Sequence, residues 1–130
     1  MTKTIHFKRV DEFHKSYGMP RGTVTMDQDF AKLTEKDARR IKLRADLTAE
    51  EYRELATAES PEEIMKESCD LVYVIVGMFV ELGWDFDEAF KRVHESNMSK
   101  LDENGKPIYR EDGKILKGPN YTPPTLKDLL

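Results

Sequence analysis

The tetrapeptide Ser60-Pro61-Glu62-Glu63 constrains this chain more than any other feature. Serine serves as an N-cap, proline suits the first helical position, and glutamate at the third position completes a capping arrangement. A helix therefore starts at Pro61. The residues before it keep helical periodicity from about Thr34 to Ala58, so one helix ends almost where the next begins. Thr48 with Glu51 resembles a second capping box, but the apolar stripe keeps its phase through Thr48, which favours one continuous helix. A connection as short as that at Ser60 joins antiparallel neighbours, and the expected core element is a helical hairpin.

Acids cluster at that hairpin. Glu51 and Glu54 are three apart on the first helix, Glu67 and Asp70 three apart on the second, so each pair shares a helix face. Leu43, Leu47, Glu51, Glu54 and Ala58 follow one 3.6-residue stripe, and Glu67, Asp70, Val74 and Met78 follow another. Each apolar stripe turns acidic toward the hairpin end. Four carboxylates converging inside a bundle repel one another and lose hydration unless positive charge sits among them. Magnesium or manganese, hard cations that favour carboxylate oxygen, would supply it. The plainer reading is a solvated face with Arg53 and Lys66 in surface pairs worth about 0–1 kcal/mol each. Two acid pairs on facing helices, both in line with apolar stripes, weigh against it.

The chemistry open to such a site is hydrolysis of a phosphate ester or phosphoanhydride, with metal-held phosphate oxygens and charge stabilised as it develops. Glu50 is the candidate base: it neighbours Glu51, is rotated about 100° around the helix, and can reach the edge of the cluster to take a proton from water. No P-loop, Ser–His–Asp arrangement, CxxC or HExxH offers another chemistry.

The chain has 130 residues, 38% hydrophobic and 35% charged, which suits one soluble domain spanning residues 1–130. A net charge of -4 argues against a nucleic-acid partner. One cysteine, Cys69, excludes an intrachain disulfide and fits a reducing compartment. The N-terminal residues lack the apolar core of a signal peptide, and the run Leu71 to Val80 is about half of the ~20 residues a membrane span needs. The expected location is cytoplasmic, with no membrane partner. That run, L-V-Y-V-I-V-G-M-F-V, is apolar all round; its β-branched residues alone would suggest a strand, but the helix start overrides them. Such a helix must be covered on every side, and a chain of this length has few helices to do it. The run therefore predicts a homodimer or larger oligomer such as a tetramer, with Val76 in the subunit interface.

The remaining segments are read in order. Val10 to Tyr17 predicts a short helix with Val10, Phe13 and Tyr17 on one side, stopped by Gly18-Met19-Pro20. His14 has no second ligand at metal spacing and reads as a packed or exposed histidine. Gly83 stops the second hairpin helix, and Asp85 with Glu88 starts another, on which Phe86, Phe90, Val93, Asn97 and Leu101 form a stripe. Asn97 stands where that stripe turns polar. Asn104-Gly105 and Asp112-Gly113 are turn signals, so residues 107–109 and 114–116 could pair as a hairpin. A fixed extended segment over 118–124 and a short helical turn follow. Lys100, Lys106, Lys114 and Lys117 read singly as solvated surface and as a set could grip phosphates.

These residues also match a known pattern. Glu51-x-x-Glu54, twelve residues, then Glu67-x-x-Asp70, together with V-H-E-S-N-M-S-K (Val93–Lys100) and G-K-I-L-K-G (Gly113–Gly118), resembles the all-α nucleotide pyrophosphohydrolase superfamily. The likeness is nearest to its small MazG-like and phosphoribosyl-ATP-pyrophosphohydrolase-like members and covers residues 43–130 best. It implies an all-α helical bundle of about four helices with a C-terminal hairpin or extended tail, assembled as a dimer or tetramer. It implies magnesium on Glu51, Glu54, Glu67 and Asp70, water activated by Glu50, and hydrolysis of a nucleoside or deoxynucleoside triphosphate to monophosphate and pyrophosphate. Asn97 and Lys100 match the family's N-x-x-K, expected to face nucleotide or phosphate, and Lys114 and Lys117 match its tail motif. Phosphoribosyl-ATP as substrate, or nucleotide binding without turnover, are the alternatives.

Overall fold

Three helices start in the same way. Thr4 accepts a hydrogen bond from the Phe7 amide at 3.3 Å, Thr34 from Asp37 at 3.2 Å and Ser60 from Glu63 at 3.1 Å. Each bond satisfies an amide that a helix start leaves without a partner. The computed structural model describes residues 3–26 and 32–130. Its helices are α1 (Ile5–Ser16), α2 (Glu35–Ala56), α3 (Pro61–Leu82) and α4 (Phe86–Met98), and the described residues contain no strand. The protein is all-α, as expected. Two compact units are distinguished, residues 1–86 with Leu130, and residues 87–129.

In the first unit α1 and α2 both lie against α3. Phe7, Val10, Val76 and Val80 form the buried core, with Phe79 and Phe86 packed on it. The cap at Thr4 starts α1 earlier than Val10, and this changes its inner face. Phe7, Val10 and His14 are buried, whereas Phe13 and Tyr17 are exposed and stack on each other at 4.5 Å. Val76 corrects a second expectation: it is 1% exposed and belongs to the protomer's own core. The apolar residues of α3 left uncovered are Ile64, Met65, Val72, Tyr73 and Ile75.

The segment after α1 closes the far end of α3. Gly22 donates to the Val80 carbonyl at 2.7 Å and Val24 to the Glu81 carbonyl at 3.0 Å, partners a helix end otherwise lacks. Gly83 ends α3 with φ of 70°, and a Cβ there would stand 3.1 Å from the Gly22 Cα. Left-handed backbone and close approach both require glycine at this position.

In the second unit the tail is tied to α4. The Ser96 hydroxyl donates to the Thr122 carbonyl at 2.7 Å, and the Thr122 amide donates to the Ser99 hydroxyl at 2.9 Å. Arg92 donates to the Thr125 carbonyl and to both carboxylate oxygens of Asp128. The expected hairpin is reduced to one antiparallel bridge, Tyr109 with Ile115, around the turn at Gly113. A short 3-10 turn at Lys127–Leu129 is the expected terminal helical turn.

Candidate metal centre

The α2–α3 hairpin puts the acids face to face. α2 runs unbroken through Thr48, whose hydroxyl donates to the Arg44 carbonyl one turn back at 2.9 Å. α2 ends at Ala56, and α3 starts from its cap Ser60 four residues after that. Glu51, Glu54 and Glu67 then each offer a carboxylate oxygen, and the three oxygens lie within 4.8 Å of one another. Asp70 stands beside this trio, with its Oδ2 accepting from Lys66 Nζ at 2.8 Å. The same ammonium donates to Glu67 Oε1 at 3.0 Å.

The electrostatics show the cost of the arrangement. Burial and then the charges of Glu54, Asp70 and Glu67 push the Glu51 carboxyl up to about 7. Glu54 is also raised, first because it can share a proton with Glu67, then by partial burial and the Glu67 charge. Glu67 is lowered, chiefly by its bond to Lys66. Glu51 Oε2 and Glu67 Oε2 are both shut off from solvent, and neither has a hydrogen-bond partner among the described residues. Buried carboxylate oxygens without donors are costly, and a divalent cation with oxygen ligands satisfies them. The donor set, three or four carboxylates with no sulfur or imidazole, fits magnesium or manganese.

A second charged cluster fixes how α2 meets α3. Arg44 is 3% exposed and Glu81 1% exposed, deep inside the first unit. Arg40 Nε donates to Glu81 Oε1 at 2.8 Å, and Arg44 Nη1 lies 3.3 Å from Glu81 Oε2. Arg44 Nη2 donates to the Val74 carbonyl of α3 at 2.7 Å. Gly77 makes room for this: a Cβ there would sit 1.8 Å from Arg44 Nη2. His14 closes the cluster from α1, its Nδ1 at 3.0 Å from the Pro20 carbonyl, and burial holds its pKa below the ordinary histidine value. Arg44 lies two turns before Glu51, and Val74 one turn after Asp70, so this cross-link sits directly beneath the acids.

Sequence reasoning missed this lock. It placed Leu43 on the inner stripe of α2, yet Leu43 is exposed and Arg44, Thr48, Glu51 and Leu55 face inward. The signal was available on α3, where Gly77 and Glu81 continue the stripe of Glu67, Asp70 and Val74. Of the other candidate residues, Glu50 is exposed on α2, close enough that its charge helps raise Glu54. Asn97, Lys100, Lys114 and Lys117 lie in the second unit. Asn97 and Lys114 are exposed, the Lys100 carbonyl accepts from the Gly118 amide at 2.9 Å, and the Lys117 ammonium sits over the Tyr121 ring at 4.7 Å.

The family model of phosphoribosyl-ATP pyrophosphohydrolase matches residues 21–97, more than half of the chain, a span that includes Glu50, Glu51, Glu54, Glu67 and Asp70. The chain belongs to the phosphoribosyl-ATP pyrophosphohydrolase family. It is also similar to Uncharacterized protein L479 of Acanthamoeba polyphaga mimivirus, 27% identical over 118 residues, which are 88% of this chain and 43% of that protein. The chain thus spans less than half the length of that curated relative. Among solved structures it is similar to a crystal structure of a candidate NTP pyrophosphohydrolase from Exiguobacterium sp. 255-15. Identity there is 23%, the match covers 95% of this chain and 90% of that one, and the TM-score is 0.44.

Proposed function

We propose that this chain is a magnesium-dependent pyrophosphohydrolase that cleaves a nucleoside or deoxynucleoside triphosphate to the monophosphate and pyrophosphate. The observation that carries the reading is the trio Glu51, Glu54 and Glu67, with two buried oxygens that lack donors, inside a family of pyrophosphohydrolases. Glu51, Glu54, Glu67 and Asp70 would hold the cation. When bound, magnesium or manganese would neutralise the phosphate oxygens and stabilise the charge that develops on them. Glu50, exposed beside the trio, takes a proton from the attacking water. Oxygen then bonds to phosphorus, the phosphoanhydride bond breaks, and pyrophosphate leaves with the electron pair. Asn97, Lys100, Lys114 and Lys117 carry the amide and ammonium groups that the resemblance assigns to the nucleotide and its phosphates.

The uncovered apolar side chains of α3 support a homodimer or homotetramer. No helix among the described residues is long and apolar enough to cross a membrane, and a cytoplasmic location forms part of this reading. The family's description favours phosphoribosyl-ATP as a second candidate substrate. Pyrophosphate release from a panel of nucleoside triphosphates, deoxynucleoside triphosphates and phosphoribosyl-ATP, with and without magnesium, tests both. Turnover of one class is expected, lost in Glu50→Ala while Mn2+ binding persists. Nucleotide binding without pyrophosphate release from any of them would make the chain a binding module.

A further inference from the structure

Among the described residues, the ammonium of Lys66 is bonded directly to the acid cluster. Its ammonium sits 2.8 Å from Asp70 Oδ2 and 3.0 Å from Glu67 Oε1, bridging two carboxylates one turn apart on α3. Those contacts favour the charged ammonium, and its pKa is raised. The Glu67 side chain is 13% exposed, and its two oxygens differ: Oε1 takes Lys66, while Oε2 is buried and has no donor among the described residues. Arg53, the basic residue next to Glu54 on α2, has no ion pair to the acids among the described residues. Lys66 therefore holds one oxygen each of Glu67 and Asp70, two of the four carboxylates proposed to take the cation, and it does so from a tether that cannot diffuse away.

We propose that Lys66 is a built-in counter-cation that competes with the divalent metal for Glu67 and Asp70. The proposal rests on the metal-centre reading given above. Without metal, the ammonium holds Glu67 and Asp70 in place and offsets part of the repulsion within the cluster. Metal entry displaces it, and the side chain, which is two-thirds exposed, has room to leave. The displaced ammonium remains beside the centre, where the negative charge of a triphosphate would arrive. The same residue would then serve the acids before loading and the substrate after it.

The test is Mn2+ binding to the purified, metal-free protein at low salt, read by electron paramagnetic resonance of free Mn2+ or by calorimetry, without substrate. Lys66→Met should bind Mn2+ about two- to five-fold more tightly than wild type, the range set by exposed ion pairs, and Lys66→Arg should stay close to wild type. Raising the salt should shrink the difference, because exposed charges are screened. Arg53→Met controls for a general change of field and should have the smaller effect. Unchanged or weaker binding by Lys66→Met, or an equal gain from Arg53→Met, overturns the proposal. Glu67→Gln separates the two levels: it should lose most of the Mn2+ affinity. If it keeps wild-type affinity, or if wild type binds no Mn2+, the metal-centre reading fails and the Lys66 proposal falls with it. If Glu67→Gln loses binding and Lys66→Met matches wild type, only the Lys66 proposal falls.

Discussion

Gly77→Ala should behave unlike an ordinary glycine-to-alanine change within a helix. On propensity alone it would stabilise α3 by about 1 kcal/mol. Here the new Cβ would lie 1.8 Å from Arg44 Nη2, 2.6 Å from Arg44 Cζ and 3.1 Å from His14 Nε2. An exposed arginine would swing aside at little cost. This one is buried, bonded to the Val74 carbonyl and paired with Glu81, so moving it breaks both contacts. Overpacking costs about 1–3 kcal/mol, and losing a charge-assisted hydrogen bond costs about 1.5–3 kcal/mol more. After the propensity gain, the net loss is about 2–5 kcal/mol. With unfolding entropy of about 2.1 cal/mol/K per residue, that lowers Tm by roughly 7–18 °C. Thermal unfolding in chelator, followed by far-UV circular dichroism, measures it. Arg44→Met should also destabilise, because it leaves Glu81 short of a partner. The double variant should lose less than the two single losses together, because the clash needs both groups. An unchanged or higher Tm for Gly77→Ala would refute the crossing of Arg44 over α3.

Two further outcomes follow from the same geometry. The Glu51 carboxyl is raised to about 7 from an ordinary 4.5, so the folded protein holds an extra proton between those values, and the stability tied to Glu51 falls as pH rises through that window. In chelator, the stability of Glu51→Gln relative to wild type should therefore grow from about pH 5 to about pH 8, and saturating magnesium should reverse the advantage; a pH-independent difference contradicts the assignment. If the proposed oligomer forms through the uncovered side of α3, Val72→Asp should dissociate it and leave the single chain helical. Val76→Asp, which buries a charge in the core, should unfold it. Light scattering with circular dichroism separates these outcomes, and an intact oligomer in Val72→Asp would remove the interface from that face.

Which parts of this fold were legible in advance follows from the range of the forces involved. The start of α3 at Pro61 and its stop at Gly83 rest on contacts within a few residues, and local sequence carries them. The approach of Glu51 and Glu54 to Glu67 was legible because the connection between their helices is short, and Asp70 stands beside this trio, not within it. The start of α1 at Thr4 was not, because its added inner residue, Phe7, gains meaning only from the α3 side chains it meets. The lock of Arg40 and Arg44 on Glu81 joins residues some forty positions apart, and lone charges read as surface until a partner helix is present. For the same reason the expected inner stripe of α2 was rotated by one residue, to Leu43 in place of Arg44. Lys66 was visible as a pairing partner for the acids, but its bridging of two carboxylates emerged only from the geometry.

The most direct measurement is anomalous diffraction at the manganese edge from crystals grown with Mn2+. The account predicts a peak enclosed by the carboxylates of Glu51, Glu54 and Glu67. No peak among these acids at saturating Mn2+, or a peak held by other residues, would contradict it.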